Sequence, residues 1–270
     1  EELYHAISTQ APDDLARELS ISEDKAELLL PTAMIYHNIF EETDAEFMWL
    51  SGITICDGMA ADFAECKEHI VPAHPFSDDI ISVSRKLAER FCCDTEHIHQ
   101  VEIATLKLFD ALRKANHLTK KDRLLLQIAA ILHNCGSFLN LNDIGENSYK
   151  IVTSTEIIGL SHQERMIVAY VIRYTTGDFP EYSEIKNEFS REEYIKIAKL
   201  NAILCLADAM DRSHQQKFTN FTVRKRGYDL TITGQTLYDI TLEHGMFIQK
   251  SPFFEEAFGI RPVLRQKKCL

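Results

Sequence analysis

Apolar side chains recur at helical spacing through most of the chain. They stand three and four positions apart in residues 25–43 and again in residues 95–116, as on the inward face of an amphipathic helix. Residues that favour helix N-termini precede several such segments. Ser190, followed three positions later by Glu193, forms a predicted capping box, and Asp122 and Ser161 are predicted caps. We therefore predict short polar helices in residues 12–28 and longer helices over 78–91, 95–116, 122–134, 148–155, 162–175 and 191–213.

The periodicity changes from helical to alternating near residue 220. Residues 221–224, 229–232 and 238–241 alternate apolar and polar side chains, and Gly227 and Gly234 are turn candidates between them. This pattern predicts a small antiparallel β meander over about 219–250. A further strand is predicted over 47–50. A turn and a helix follow it, which is typical of the edge of an α/β domain.

Two prolines, Pro72 and Pro75, stand among polar residues near the end of this α/β segment. They predict a domain boundary near 70–77, which gives an α/β part over 1–75 and a mainly helical part over 76–270. Residues 1–70 carry too few elements for a complete α/β domain, and the chain does not begin with methionine. We therefore expect a fragment of a longer protein.

Composition narrows the range of partners. The 270 residues carry 29 Lys and Arg against 41 Asp and Glu, a net charge of −12, so neither nucleic acid nor an anionic membrane surface is an expected partner. No apolar run reaches the roughly 18 residues of a membrane span. The seven cysteines form no C-x-x-C motif, which favours free thiols in a reducing cytoplasm.

The candidate chemistry centres on a histidine at the end of an apolar helix. His133 follows six largely apolar residues and is itself followed by Asn134 and a short glycine turn. Two more polar residues, His97 and Asp208, lie in other strongly apolar helical segments. A buried carboxylate is costly unless it is paired or bound to a metal. A metal or phosphate site is therefore one interpretation, and a satisfied core histidine with a helix-capping acid is the other.

The segment from Leu206 to His214, which reads LADAMDRSH, resembles the Ppx/GppA exopolyphosphatase family. Residues 78–214 resemble the HD-domain phosphohydrolase core that these proteins carry near the C-terminus. In that core a first His, a His-Asp pair and a distant Asp hold a divalent metal, and they match His97, His133-Asn134 and Asp208. Three other segments look like parts of the same family: 159–174 like a helical hairpin, 253–260 like the tail of some members, and 28–63 like the end of the preceding actin-like domain.

The resemblance implies a fold. The expected fold class is mainly α: an HD-domain-like helical bundle with a small C-terminal antiparallel β meander and an N-terminal α/β remnant of an actin-like (ASKHA) domain. The expected domains are 1–75 for the actin-like remnant and 76–270 for the HD-like domain with its meander and tail.

The chain departs from the family pattern in the metal site. Asn134 replaces the ligand Asp, and Asn147 and Thr175 stand where relatives often have histidines. His97, His133 and Asp208 would still offer two nitrogens and one carboxylate. They form a weak site that we expect to hold no metal, or at most one divalent ion (Mg, Mn or Zn). A two-metal hydrolytic centre is not expected.

Two arginines are candidate phosphate ligands. Arg173 and Arg212 could pair with Asp208 or bind phosphate, because a guanidinium group suits both anions. Solvated or structural ion pairs are the alternative for each.

Three functions remain open. The first is the C-terminal portion of an exopolyphosphatase or guanosine pentaphosphate phosphohydrolase that contributes polyphosphate binding, dimerisation or regulation. In that case the catalytic residues stay unknown and the fragment is inactive by itself. The second is an independent metal-dependent phosphohydrolase of nucleotides or phosphoesters, and the third is a non-catalytic interaction module. Expected partners are polyphosphate or guanosine pentaphosphate and a second copy in a homodimer.

Overall fold

The computed structural model describes residues 2–43, 45, 47, 52, 54–67, 75–113, 117–218 and 220–267, and most of them are helical. The chain divides into two compact units, Glu1–Pro72 and Ala73–Leu270. The strand predicted over 47–50 lies largely outside the described residues, as do residues 70–74 of the predicted boundary. No helix within the described ranges is long and apolar enough to cross a membrane.

The described part of the first unit is helical. Its small apolar cluster contains Ile7, Leu15, Ala16 and Ala26. Whether this unit is the end of an actin-like domain stays a prediction. Its helices are α1 (Glu2–Thr9), α2 (Pro12–Leu19), α3 (Glu23–Glu27), α4 (Leu29–Glu41) and α5 (Ile55–Cys66).

The second unit is a bundle of helices. Its helices are α6 (Phe76–Arg90), α7 (Thr95–Leu112), α8 (Lys120–Leu132), α9 (Ile144–Ser154), α10 (His162–Arg173), α11 (Tyr182–Ile185), α12 (Arg191–Ala209) and α13 (Thr241–Phe258), with a 3-10 helix at Cys135–Phe138. The six helices predicted between residues 78 and 213 are confirmed, with ends that shift by up to four residues, whereas α11 and α13 were not predicted.

Helix starts follow the predicted capping chemistry with one correction. Ser161 and Ser190 each accept a hydrogen bond from the backbone of the third helical residue. The prediction that Asp122 caps α8 is wrong, because Thr119 is the N-cap. Asp122 is the reciprocal partner, and its carboxylate accepts from the Thr119 backbone nitrogen. The N-cap therefore lies three residues before the predicted one. In a capping box the hydroxyl residue caps the helix and the acid three residues later caps it in return.

Removing one of these caps gives a modest, measurable effect. We expect Ser190→Ala to lower the free energy of unfolding by about 1 kcal/mol, because the Glu193 backbone N–H loses its acceptor. The melting temperature would fall by about 2–4 °C. Ser183→Ala, at an exposed position within α11, should change the melting temperature by less than half as much, and equal shifts for the two variants would contradict the capping role.

The core lies where α8, α10 and α12 meet. Each carries a run of fully buried apolar side chains, at 128–132, 167–172 and 202–207. Burial around nearly the whole circumference of a helix requires neighbours on all sides, and α7 supplies one of them. Polar side chains on these helices therefore lie in an apolar surrounding, where they must be paired.

The small sheet corrects the prediction of an antiparallel meander. It has the order β1-β2-β3, where β1 is Asn220–Arg226, β2 is Asp229–Gln235 and β3 is Arg261–Lys267. The pair β1–β2 is antiparallel as predicted, whereas β2–β3 is parallel. The strand predicted over 238–241 is wrong, since those residues lead into α13. Parallel strands need a crossover connection, and α13 provides it.

Candidate functional site

His97 lies in the first turn of α7 and is held from two directions. Asp94 is the N-cap of this helix and accepts hydrogen bonds from the backbone nitrogens of Glu96 and His97. The imidazole is 1% exposed, and its Nδ1 donates to the Asp211 carboxylate at 2.9 Å. Because a carboxylate only accepts, the Nδ1 atom carries the proton and the Nε2 atom is directed elsewhere.

His133 stands at the C-terminal end of α8 and is fixed in the same manner. Its Nδ1 donates to the carbonyl oxygen of Ala130 at 2.7 Å. Its own carbonyl accepts from the Ser148 hydroxyl at 2.9 Å, and that hydroxyl accepts from the Gly136 nitrogen at 2.7 Å. Helix α9 thereby anchors the turn that carries His133, which is buried.

The third residue, Asp208, brings the two histidines together from α12. Its Oδ1 lies 3.4 Å from His97 Nε2 and 3.5 Å from His133 Nε2, and the two Nε2 atoms are 3.2 Å apart. Asp208 is 17% exposed, in contrast to the two histidines. The three sequence-predicted residues therefore converge on one point that reaches the surface beside Asp208.

The electrostatics of the cluster are set by two carboxylates around one histidine. Burial lowers the pKa of His97, but hydrogen bonds and charges from Asp208 and Asp211 outweigh it and raise that pKa to about 9. Burial opposes ionisation of Asp208, yet His133 and His97 hold its pKa well below the usual value. In the form without a cation, His97 Nε2–H can donate to His133 Nε2, so a proton occupies the meeting point.

The donor set also fits a divalent cation. Ligand atoms about 2.1 Å from an ion stand about 3.0–3.4 Å from one another in octahedral or tetrahedral geometry, close to the three distances here. The three ligand atoms lie within 4.8 Å of one another. The carboxylate of Asp211 behind His97 and the carbonyl behind His133 are the supporting acceptors that metal-bound histidines require.

Asp211 also belongs to the cluster by its contact with His97, and it was not predicted from the sequence. It is 1% exposed and also accepts from the backbone and side-chain nitrogens of Gln216, at 2.7 and 3.2 Å. The D-x-x-D spacing from Asp208 to Asp211 was a usable signal. However, only the structure places Asp211 beyond the end of α12, where its carboxylate turns back towards His97.

The segment that follows Asp211 closes the site. His214 and Gln216 have positive φ angles of 54° and 46°, a conformation that costs free energy for non-glycine residues. The His214 ring stacks on His97 with centroids 3.6 Å apart and donates to Asp94 at 3.1 Å. The His214 side chain therefore lies directly against the cluster.

A buried acid ties this segment to the following helix. Glu243 of α13 is fully buried, accepts from the hydroxyl of Ser213 and pairs with Lys217 at 3.1 Å. Ser213 lies between Arg212 and His214. Its contact with Glu243 therefore fixes the backbone from which the side chains of Arg212 and His214 extend.

The two candidate phosphate ligands lie in different surroundings. Arg212 is 42% exposed and its Nη1 lies 3.7 Å from Asp208 Oδ2, so it stands at the open side of the cluster. Arg173 instead donates to Glu146 at 2.7 Å and lies over the Tyr149 ring at 4.4 Å. Arg173 is thus engaged in a structural pair, and Arg212 is the arginine that borders the cluster.

The three neutral residues that the sequence comparison placed at ligand positions, Asn134, Asn147 and Thr175, have their own contacts. Asn134 is half-buried, and its backbone carbonyl accepts from the Ser137 hydroxyl at 2.7 Å. Asn147 donates weakly to the Asn140 carbonyl, and buried Thr175 donates to the Ile172 carbonyl at 2.9 Å. None of the three can supply an anionic ligand.

Comparison with known proteins covers the region that carries the cluster. The family model described as Ppx/GppA phosphatase, domain III, matches residues 81–249, more than half of the chain. No individual curated protein matches the chain. The matched region contains α7, α8 and α12 and therefore all three residues of the cluster.

Proposed function

We propose a phosphate-binding role for the helical unit of this chain, which belongs to the Ppx/GppA phosphatase family. The unit would bind the phosphate chain of polyphosphate or guanosine pentaphosphate. Binding would take place at the cluster of His97, His133 and Asp208, with one divalent cation held there. The carrying observation is the convergence of two Nε2 atoms and one carboxylate oxygen, with the tautomer of each histidine fixed by an acceptor behind it.

Each residue has a distinct part in this proposal. His97 and His133 present lone pairs, Asp208 supplies negative charge, and Asp211 keeps His97 in the required tautomer. A bound cation would supply a Lewis acid for phosphate oxygens. Arg212, whose exposed side chain lies beside Asp208, would donate to the same phosphate group.

Binding is favoured over two-metal hydrolysis by the count of ligands. Among the described residues, the cluster offers three ionisable ligands, whereas a pair of ions about 4 Å apart would need further carboxylates or histidines. Asn134, Asn147 and Thr175 are neutral. One observation favours single-metal hydrolysis as a second candidate: three protein ligands leave coordination positions open to water.

The test measures metal and phosphate binding separately. Protein stripped with a chelator would be titrated with Mn²⁺ by calorimetry, and polyphosphate binding and phosphate release would be followed with and without the ion. We expect one Mn²⁺ per chain, polyphosphate binding strengthened by Mn²⁺, and no phosphate release.

The matched variants are His133→Ala and His99→Ala, since His99 is an exposed histidine on α7. We expect His133→Ala to lose Mn²⁺ binding and its effect on polyphosphate, and His99→Ala to keep both. Absence of Mn²⁺ binding in the parent chain would sink the proposal. Metal-dependent phosphate release that His133→Ala abolishes would favour the hydrolytic candidate.

A further inference from the structure

Two buried thiols meet between the segments that carry His97 and His133. The Sγ atoms of Cys93 and Cys135 lie 3.3 Å apart, although the two residues are 42 positions apart in the chain. The side chain of Cys93 is 7% exposed, and that of Cys135 is fully buried. The fold thus brings together two cysteines whose separation in the sequence gives no sign of a pair.

The pair joins the two connections that support these histidines. Cys93 directly precedes Asp94, the N-cap of α7, whose carboxylate accepts from the His97 backbone nitrogen. Cys135 begins the 3-10 helix that follows His133 by two residues. A covalent bond between the two sulfur atoms would therefore tie the connection before His97 to the turn after His133.

A disulfide requires only a small approach of the two sulfur atoms. The S–S bond is about 2.05 Å long, so the atoms must come about 1.3 Å closer than in the dithiol. The turn at Cys135 is tightly packed, since a Cβ added at Gly136 would lie 2.5 Å from the Ser148 nitrogen of α9. The connection between α6 and α7 has more room, because Cys92 beside Cys93 is exposed to solvent. We expect the Cys93 side to supply most of the movement.

Cys93 is the thiol placed to react first. The Cys135 thiol can donate to a thiolate at Cys93 and thereby lowers the pKa of Cys93, although burial opposes this effect. The thiolate is the nucleophilic form of cysteine. Cys93 also keeps a small contact with solvent, which Cys135 lacks. Cys135 is therefore the resolving thiol, held beside Cys93 within the core.

We propose that Cys93 and Cys135 form a peroxide-sensitive dithiol whose disulfide locks together the segments that carry His97 and His133. The Cys93 sulfur attacks a hydroperoxide, so that an S–O bond forms and the O–O bond breaks. The departing oxygen takes up the Cys93 proton and leaves as an alcohol, or as water where the oxidant is hydrogen peroxide.

The second step closes the lock. The Cys135 sulfur attacks the sulfur of the Cys93 sulfenic acid, the S–S bond forms and the S–O bond breaks. Hydroxide leaves and takes the Cys135 proton to give water. The two thiols have then lost two electrons, and one hydroperoxide has been reduced. A cellular dithiol reductant would reverse the bond by thiol–disulfide exchange, as is usual for redox-sensing disulfides in reducing compartments.

The test oxidises the chelator-stripped chain with a slight excess of hydrogen peroxide and maps disulfides by peptide mass spectrometry. We expect a crosslink between Cys93 and Cys135, with a mass loss of about 2 Da that dithiothreitol reverses. The melting temperature should rise by about 5–10 °C, because the crosslink restricts the unfolded chain. Amide hydrogen exchange in peptides that contain His97 or His133 should become at least about fivefold slower, because the bond opposes local opening.

The matched variants are Cys93→Ser, Cys135→Ser and Cys92→Ser. We expect each of the first two to lose the crosslink and the slower exchange, so that neither result depends on a single substitution in the core. Cys92→Ser removes the adjacent exposed thiol and should keep both. A crosslink that uses Cys92 in place of Cys93, or unchanged amide exchange in the oxidised parent chain, would overturn the proposal. All measurements are made without metal, so a failure of Mn²⁺ binding would count against the proposed function and not against this lock.

Discussion

Replacing Gly136 with alanine is expected to lower the free energy of unfolding by about 3 kcal/mol, because a side chain does not fit between α9 and the turn after α8. A Cβ atom at this position would lie 2.5 Å from the Ser148 nitrogen and 2.8 Å from Asn147 Cβ, and closer still to the carbonyl oxygen of Ile144. Two of these three neighbours are backbone atoms, so relief requires helix α9 to move.

This movement would reach the functional cluster. The Ser148 hydroxyl accepts from the Gly136 nitrogen and donates to the His133 carbonyl, so a displaced α9 breaks the link that orients His133. We therefore expect Gly136→Ala to weaken Mn²⁺ binding as well as stability. Thermal and urea denaturation, followed by circular dichroism, would measure the loss, with a melting temperature about 6–12 °C lower.

The matched control is Gly177→Ala. This exposed glycine has no heavy atom within 4 Å of its added Cβ and no positive φ, so the change should stay within about 0.5 kcal/mol. An equal, small effect at both glycines would contradict the close approach of α9 to the turn after α8.

The helical part of the fold was predictable because local signals agree with tertiary burial. Ser161 and Ser190 cap the helices that the apolar spacing predicts. The cluster of His97, His133 and Asp208 was predictable from polar residues set in apolar helices, together with the family resemblance. Whether these residues hold a metal stays a prediction.

Helix α13 and the parallel strand β3 were not predictable from the local pattern. Gly245 and Pro252 lie within α13, and both residue types normally argue against a helix. The buried Phe247 and Phe254, which lie in the apolar core, override this local preference. Residues 238–241 alternate as a strand would. Only the long-range pairing of β2 with residues 261–267 shows which of the two segments forms the third strand. Asp211 was missed for a related reason, since a chain reversal after α12 brings its carboxylate to His97.

Converting Asn134 to aspartate should strengthen divalent-metal binding about tenfold to hundredfold. The substitution restores the acid that the family resemblance places directly after His133, and it changes a neutral amide to an anion at a half-buried position. Affinity for divalent cations rises with the negative charge of the ligand set. Calorimetric titration of the chelator-stripped variant with Mn²⁺ would give the Kd directly.

The control for this charge change is Asn142→Asp, at an exposed position in the loop before α9. It should leave the Mn²⁺ Kd within about twofold, since an exposed charge at a distance is screened. A tenfold tighter Kd corresponds to about 1.4 kcal/mol, so saturating Mn²⁺ should raise the melting temperature of Asn134→Asp about 3–6 °C more than that of the parent chain. Without Mn²⁺ the added carboxylate has no bound cation to stabilise it, so the melting temperature of Asn134→Asp should not rise. If Mn²⁺ affinity were the same in both chains, position 134 would have no part in metal binding.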